Sequence, residues 1–199
     1  MSKVTCDIAM SVDGFVAGPN QSLENPIGEG AEQRLHSWMF DEPEAHAAVI
    51  EGITAAGAFI MGRNMFGPGR DAWDMDWNGW WGDEPPYHAP VFVLTHHPRE
   101  PLPMKGGTVF NFVTEGIEAA LAQAREAAGD RDVAIAGGAL TVNQYLAAGL
   151  IDELRLHVAP VILGRGERLF DGVGDTNLEP VGEVSGTSLV THLKYRVVR

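Results

Sequence analysis

The sequence predicts an α/β fold: a mostly parallel central sheet, helices on both faces, and a C-terminal antiparallel hairpin. Three observations predict it. Short, fully apolar runs at Ala58–Met61 and Val91–Leu94 have the composition of strands covered on both faces, as in a parallel sheet. Segments with helical spacing alternate with such runs, giving the order βαβαβαβ. The end of the chain, Leu178 to Val198, reads as two strands joined near Ser185 and Gly186. With 199 residues, the chain reads as one domain spanning 1–199. That length buries about 70% of the unfolded surface without disulfide or metal staples.

Val4 to Val12 is the first strand, closed by Asp13 and Gly14. Residues 14–40 carry Gly, Pro, Asn and Ser and read as a long loop, of a length that is usually functional. Asp41 then has the place of an N-cap, with Pro43 in the first turn and Glu44 closing a capping box. That helix continues through Ala48, Val49 and Ile53 to Gly57. The buried run Ala58–Met61 leads into Gly62, Arg63 and Asn64. Residues 67–89 are rich in Gly, Pro, Asp and Trp and have no clear period. After Val91–Leu94 come a strand over Val109–Val113 and an alanine-rich amphipathic helix over Ile117–Ala128. Val133 and Ile135 form a β-branched run that ends in Gly137 and Gly138; Leu140, Gln144 and Tyr145 follow at helical spacing. From Glu153 to Val161 the pattern alternates, sending Leu154, Leu156 and Val158 inward against Arg155 and His157.

Composition excludes several classes of function. The formal net charge of −13 opposes binding to nucleic acid or anionic membranes, whose phosphates need a basic face. Cys6 is the single cysteine, so no internal disulfide can form, and a reducing cytoplasm is expected. The segment Met1-Ser-Lys-Val has no signal-peptide apolar core, and no apolar run reaches membrane-spanning length. The seven histidines show no metal-ligand spacing and Gly-x-Ser-x-Gly is absent, so no metal is expected and a hydrolase reading has no support.

Three strand ends carry residues suited to a phosphorylated ligand: Gly62 with Arg63, Thr95 with His96, His97 and Arg99, and Gly137 with Gly138. In open α/β sheets, ligands collect at the carboxyl ends of strands. A helix start after a glycine turn offers backbone N–H groups and the positive end of the dipole to an anion. Each loop also has a plainer reading: a tight strand-to-helix turn for the glycine pair, a surface ion pair for Arg63, and solvated turn residues for His96 and His97. Trp73, Trp77, Trp80 and Trp81 lie in one loop with Asp74, Asp76, Asp83 and Glu84. They read equally as a stacking lid for a flat heterocycle and as a satellite cluster under a long loop.

Ala9–Ala17, Ile60–Phe66, Val91–His96 and Ile135–Ala139, in that order, resemble the dihydrofolate reductase fold. Ile151–Gly166 followed by Leu169 and Phe170 is similar to the branch that contains the reductase domain of bacterial riboflavin biosynthesis, the RibD C-terminal domain. The resemblance covers essentially the whole chain. It implies a single dihydrofolate reductase-like domain, an NADPH cofactor, a small-molecule substrate and a homodimer. By position it implies that Ala9 and Val16 contact the nicotinamide, that Gly62, Arg63 and Asn64 receive cofactor phosphates, and that Thr95, His96 and His97 line the adenosine ribose and its 2′-phosphate. Gly137, Gly138, Ala139 and Leu140 match the turn and helix start beneath the pyrophosphate, and the Gly137–Gly138 bond is expected to be cis.

Some positions depart from the pattern. Met65 stands where dihydrofolate reductases carry a phosphate-binding threonine, and Leu140 replaces a frequent arginine. The family's carboxylate on the first helix falls near His46, two residues after Glu44. The function implied is hydride transfer from NADPH to a C=N or C=O bond of a pterin-like or ribosylaminouracil phosphate-like substrate. The alternative is a weakly active or inactive NADPH-binding module of the same fold. Proton-donor candidates are Asp13, Glu44 and His46, with Asp13, acting through water, placed first.

Overall fold

Alternation along the first strand, β1 (Val4–Ser11), assigns Val4, Cys6, Ile8 and Met10 to the main hydrophobic core and leaves Thr5, Asp7 and Ala9 for the opposite side. The computed structural model describes residues 2–67, 69 and 72–198. After β1 come a short strand β2 (Phe15–Ala17) and two helices, α1 (Glu32–Asp41) and α2 (Ala47–Ile53). The strand β3 (Ala58–Gly62) runs directly into a single turn of helix, α3 (Arg63–Phe66). Next are β4 (Pro90–Leu94), β5 (Leu102–Pro103), β6 (Val109–Val113) and helix α4 (Ile117–Ala128). The glycine-pair unit is β7 (Val133–Gly137) followed by α5 (Ala139–Ala147). The chain closes with β8 (Glu153–Ala159), β9 (Glu167–Arg168), β10 (Asn177–Pro180), β11 (Ser185–Gly186) and β12 (Thr191–Val198).

The main sheet has the order β10-β12-β8-β1-β7-β3-β4-β6-β5, with β11 also paired to β12. From β8 across to β6 every pairing is parallel; β12 is antiparallel to β8, and β10 and β11 are antiparallel to β12. This is the α/β architecture with a C-terminal antiparallel hairpin that the sequence predicts. Helices α4 and α5 cover one face: Leu121, Ala124, Val142 and Tyr145 pack with Ile8, Ile60 and Ile135. On the other face α1 lies over β1 and β8, while Phe59, Met61, Val91 and Phe110 gather under residues of the tryptophan loop.

Two expectations are corrected here. Residues 14–40 are not one loop, because α1 begins at Glu32, and its Leu35 and Trp38 are fully buried at helical spacing. Nor does a helix start at Asp41: α1 ends there. Pro43 disfavours helical geometry in the residue before it, so the chain leaves the helix at Glu42 and resumes at Ala47. Along β8 the inward set is as expected, but the alternate face is not solvent. His157 is 3% exposed because α1 lies over it.

Candidate functional site

The parallel strands β3, β4 and β7 end side by side, and their carboxyl ends open into a cleft of about 810 Å³. Every position expected to hold a cofactor borders it: Ala9 and Val16; Gly62, Arg63 and Asn64; Thr95, His96 and His97; and Gly137, Gly138, Ala139 and Leu140. None of the proton-donor candidates Asp13, Glu44 and His46 borders it.

Glycine is required on the cleft floor for steric reasons. A Cβ on Gly62 would lie 2.4 Å from Thr141 Oγ1, so β3 and α5 can approach this closely only with glycine there. Gly137 has φ 123°, in the region that side chains avoid, and the Gly137–Gly138 peptide is cis. A Cβ on Gly138 would meet nothing within 4 Å. Gly138 is also the N-cap of α5 and carries no side-chain cap, so the first turn of the helix presents its N–H groups beside this open space.

The neighbouring loops are tied together. The Arg63 guanidinium lies over the Trp73 ring, 3.2 Å from its centroid, and Trp73 Nε1 donates to the His97 carbonyl at 2.7 Å. The backbone N–H of His97 in turn donates to Thr95 Oγ1 at 3.1 Å. Burial, then the like charge of Arg99, lowers the Arg63 pKa. Arg99, expected among the cofactor cations, has another role. It donates to the carbonyls of Trp77 and Met75 at 2.8 and 3.2 Å and does not border the cleft. The tryptophan loop has the satellite-cluster packing that was one of its two readings. Trp73, Trp77 and Trp81 pack on the second core cluster, while Trp80 and Trp81 also form part of the cleft wall.

The proton-donor candidates need correction. Asp13 accepts from the N–H groups of Leu163 and Gly164 at 3.0 and 2.7 Å. A hydrogen bond from Ser11 and these two backbone bonds outweigh a small desolvation effect and hold its carboxyl at about 2. Such a group latches a loop and is a poor acid near neutrality. Glu44 is exposed in the turn between α1 and α2, because the helix it was to cap does not start at Asp41. His46 is 3% exposed but lies behind the cleft wall, among other imidazoles.

The structure brings Asp7, His36 and His157 to the cleft instead, with Trp38 between α1 and the sheet. Sheet register explains the grouping: Asp7 pairs with Arg155, Ala9 with His157, and His157 with His192. Arg155 Nη1 lies 3.2 Å from Asp7 Oδ2 and makes an ion pair with it. His157 Nε2 is buried, 3.5 Å from Asp7 Oδ1, and has no hydrogen-bond partner among the described residues. His157 Nδ1 is 2.9 Å from His192 Nδ1, and His192 Nε2 is 2.8 Å from His46 Nδ1. The Trp38 indole packs against all three imidazoles with ring centroids 5.0–5.3 Å away. Alternation along β1 and β8 could have identified Asp7 and His157 as residues of one sheet face. What covers that face was not legible. Among the described residues, no group of three or more His, Cys, Asp or Glu could hold a metal ion, and no helix is long and apolar enough to cross a membrane.

Comparison with known proteins agrees with this geometry. The model of the RibD C-terminal domain matches residues 2–192. An uncharacterized protein, YyaP, of Bacillus subtilis strain 168 is 22% identical over 198 residues, covering 97% of this chain and 94% of its own. A putative riboflavin biosynthesis protein of Shewanella sp. PV-4 superposes with a TM-score of 0.67 at 22% identity, covering 99% of both chains. A Thermotoga maritima diaminohydroxyphosphoribosylaminopyrimidine deaminase/5-amino-6-(5-phosphoribosylamino)uracil reductase superposes with a TM-score of 0.60 at 15% identity. That match spans 98% of this chain and 56% of the larger protein.

Proposed function

The chain belongs to the RibD C-terminal domain family, and from that premise we propose that it is an NADPH-dependent reductase of a small heterocyclic substrate. The observation that carries this reading is the convergence of three strand-end loops on one cleft floored by glycine, with open space beside Gly138 at an uncapped helix start. A dinucleotide fits that cradle. Gly137, Gly138, Ala139 and Leu140 would take the pyrophosphate, and Ala9 and Val16 the nicotinamide end. Arg63, Thr95, His96 and His97 would take the adenosine phosphate.

NADPH supplies the hydride when it is bound. The chain's own task is to hold both partners at reacting distance, exclude water and provide a proton. Trp80 and Trp81 offer flat apolar surface at the cleft wall for a pterin or ribosylaminouracil phosphate. A reduced C=N bond must gain a proton, and the titratable side chains at the cleft near Ala9 are Asp7, His36 and His157. Their presence weakens the alternative of a binding module without turnover, which rested on the lack of an acid at the expected position.

Reduced-nicotinamide absorbance followed with dihydrofolate, with 5-amino-6-ribosylaminouracil phosphate and with no substrate tests the proposal. Substrate-dependent NADPH consumption supports it; tight NADPH binding with consumption on neither substrate favours the binding module.

A further inference from the structure

We infer that His46, His192 and His157 form a single-file proton path from the protein surface beside Glu42 and Thr187 to the cleft, where His157 is the terminal donor. This rests on the reductase reading and deepens it, by assigning the route that supplies the proton when the cleft is filled and closed to water.

The outer end meets solvent. The Glu42 side chain is 36% exposed, and its Oε2 lies 3.6 Å from His46 Nε2. Thr187 is exposed, with its hydroxyl 3.4 Å from the same nitrogen. The inner end is His157, a residue that lines the cleft, with its Nε2 buried 3.5 Å from Asp7 Oδ1, which also lines it. Both ends carry a buried atom without a hydrogen-bond partner, Glu42 Oε2 outside and His157 Nε2 inside.

Neutral rings can be threaded in two opposite directions, since the Asp7 carboxylate faces His157 Nε2 at 3.5 Å and the Glu42 carboxylate faces His46 Nε2 at 3.6 Å. In the direction poised for delivery the His157 proton is on Nε2, towards Asp7 Oδ1. His157 Nδ1 then accepts from His192 Nδ1–H, and His192 Nε2 accepts from His46 Nδ1–H. His46 Nε2 is left to accept from the Thr187 hydroxyl. A proton arriving on His46 Nε2, beside the Glu42 carboxylate, releases the His46 Nδ1 proton to His192 Nε2. His192 passes its Nδ1 proton to His157 Nδ1, and His157 Nε2 gives its proton to the substrate. One proton enters and one leaves, no electron moves, and all three rings end neutral in the opposite tautomer. Reorientation of the rings resets the path.

The surroundings favour transfer over storage. Burial first, then His157 and His46, lowers the His192 pKa to about 4, so the middle ring is neutral near pH 7. The titratable and charged groups facing the chain are Asp7 and Arg155 from the sheet, Glu42 and His36 from the α1 side, and Glu32 beside His36. Trp38 closes the remaining side with apolar surface.

Nitrogen NMR of the full chain carrying labelled histidine tests the path without a substrate. The expected result is coupling across both N–H···N bonds, His46 to His192 and His192 to His157. Protons should run in one direction: on Nδ1 of His46 and His192 with Nε2 of His157, or on the other nitrogen of all three. Absent couplings, or protons that do not run in one direction along the file, overturn the path. On whichever substrate the wild type reduces, His192→Phe and the outer Glu42→Gln should lower kcat, His192→Phe by about a hundredfold, with NADPH affinity unchanged. In both, the falling alkaline limb of the kcat profile should move to lower pH. Because His192 is buried and Glu42 half-buried, a thermal melt accompanies both variants. Unchanged kcat and pH profiles in both variants overturn the role. If the wild type reduces neither substrate, the reductase reading fails and the couplings alone decide the path.

Discussion

Gly62 and Thr141 meet where β3 passes the first turn of α5, so close that a Cβ on Gly62 would lie 2.4 Å from the Thr141 hydroxyl oxygen. Gly62→Ala therefore overpacks the cleft floor and should cost about 1–3 kcal/mol in chemical denaturation. Thr141→Ala added to it should recover most of the loss. The two changes share one contact, so their free energies should not add. Additivity would mean that the strand and helix separate without strain.

Arg63 is the cation that the cleft and the Trp73 ring share. Arg63→Ala should remove one or two charge-assisted bonds to a 2′-phosphate, each about 1.5–3 kcal/mol. NADPH affinity should fall roughly ten- to a hundredfold per bond while NADH affinity changes little. Calorimetric titration of both cofactors measures this. Equal weakening of the two would remove Arg63 from phosphate discrimination.

Asp13 holds the segment at Leu163 and Gly164. Asp13→Asn should lower the melting temperature and leave turnover and NADPH affinity unchanged. Its carboxyl is depressed from 3.8 to about 2, so the stabilisation is complete above the unfolded value and disappears as pH falls through about 2. A large fall in turnover at unchanged stability would return Asp13 to the chemistry.

Glu153 sits in the sheet at 4% exposure among Lys3, Arg155 and Lys194. Burial raises its pKa, but hydrogen bonds from Lys194, Arg155 and Lys3 outweigh that and bring it from 4.5 to about 2. Its stabilisation is present above the unfolded value and is lost as pH falls from about 4.5 towards 2. Glu153→Gln should cost about 2 kcal/mol near neutrality and flatten that part of the acid-unfolding curve. His192 acts earlier. With its folded pKa lowered from 6.5 to about 4, the protein loses stability as pH falls through that window. Denaturation midpoints across pH would separate the two.

Much of the fold was legible because it rests on local chemistry. Apolar β-branched runs at Ala58–Met61, Val91–Leu94 and Val133–Ile135 can only be buried strands, and Gly137-Gly138 marks the turn after one of them. The first helix was misread because Asp41, Pro43 and Glu44 together imitate a capping box. Local rules could not weigh that pattern against the burial of Leu35 and Trp38, which fixes α1 one segment earlier.

The sequence by itself determined the α/β class and the strand-end loops that border the cleft, since each of these depends on residues near one another in the chain. Only the tertiary structure decided the histidine cluster. Asp7, His46, His157 and His192 come from four separate segments, and they meet because β8 pairs with β1 on one edge and with β12 on the other while α1 covers that face. Strand order and register depend on partners as distant in the chain as Thr5 and Glu153, and no local periodicity encodes those partners. Burial then turned alternating polar residues, which read as solvated, into a connected chain of imidazoles, because polar groups removed from water must find partners in one another.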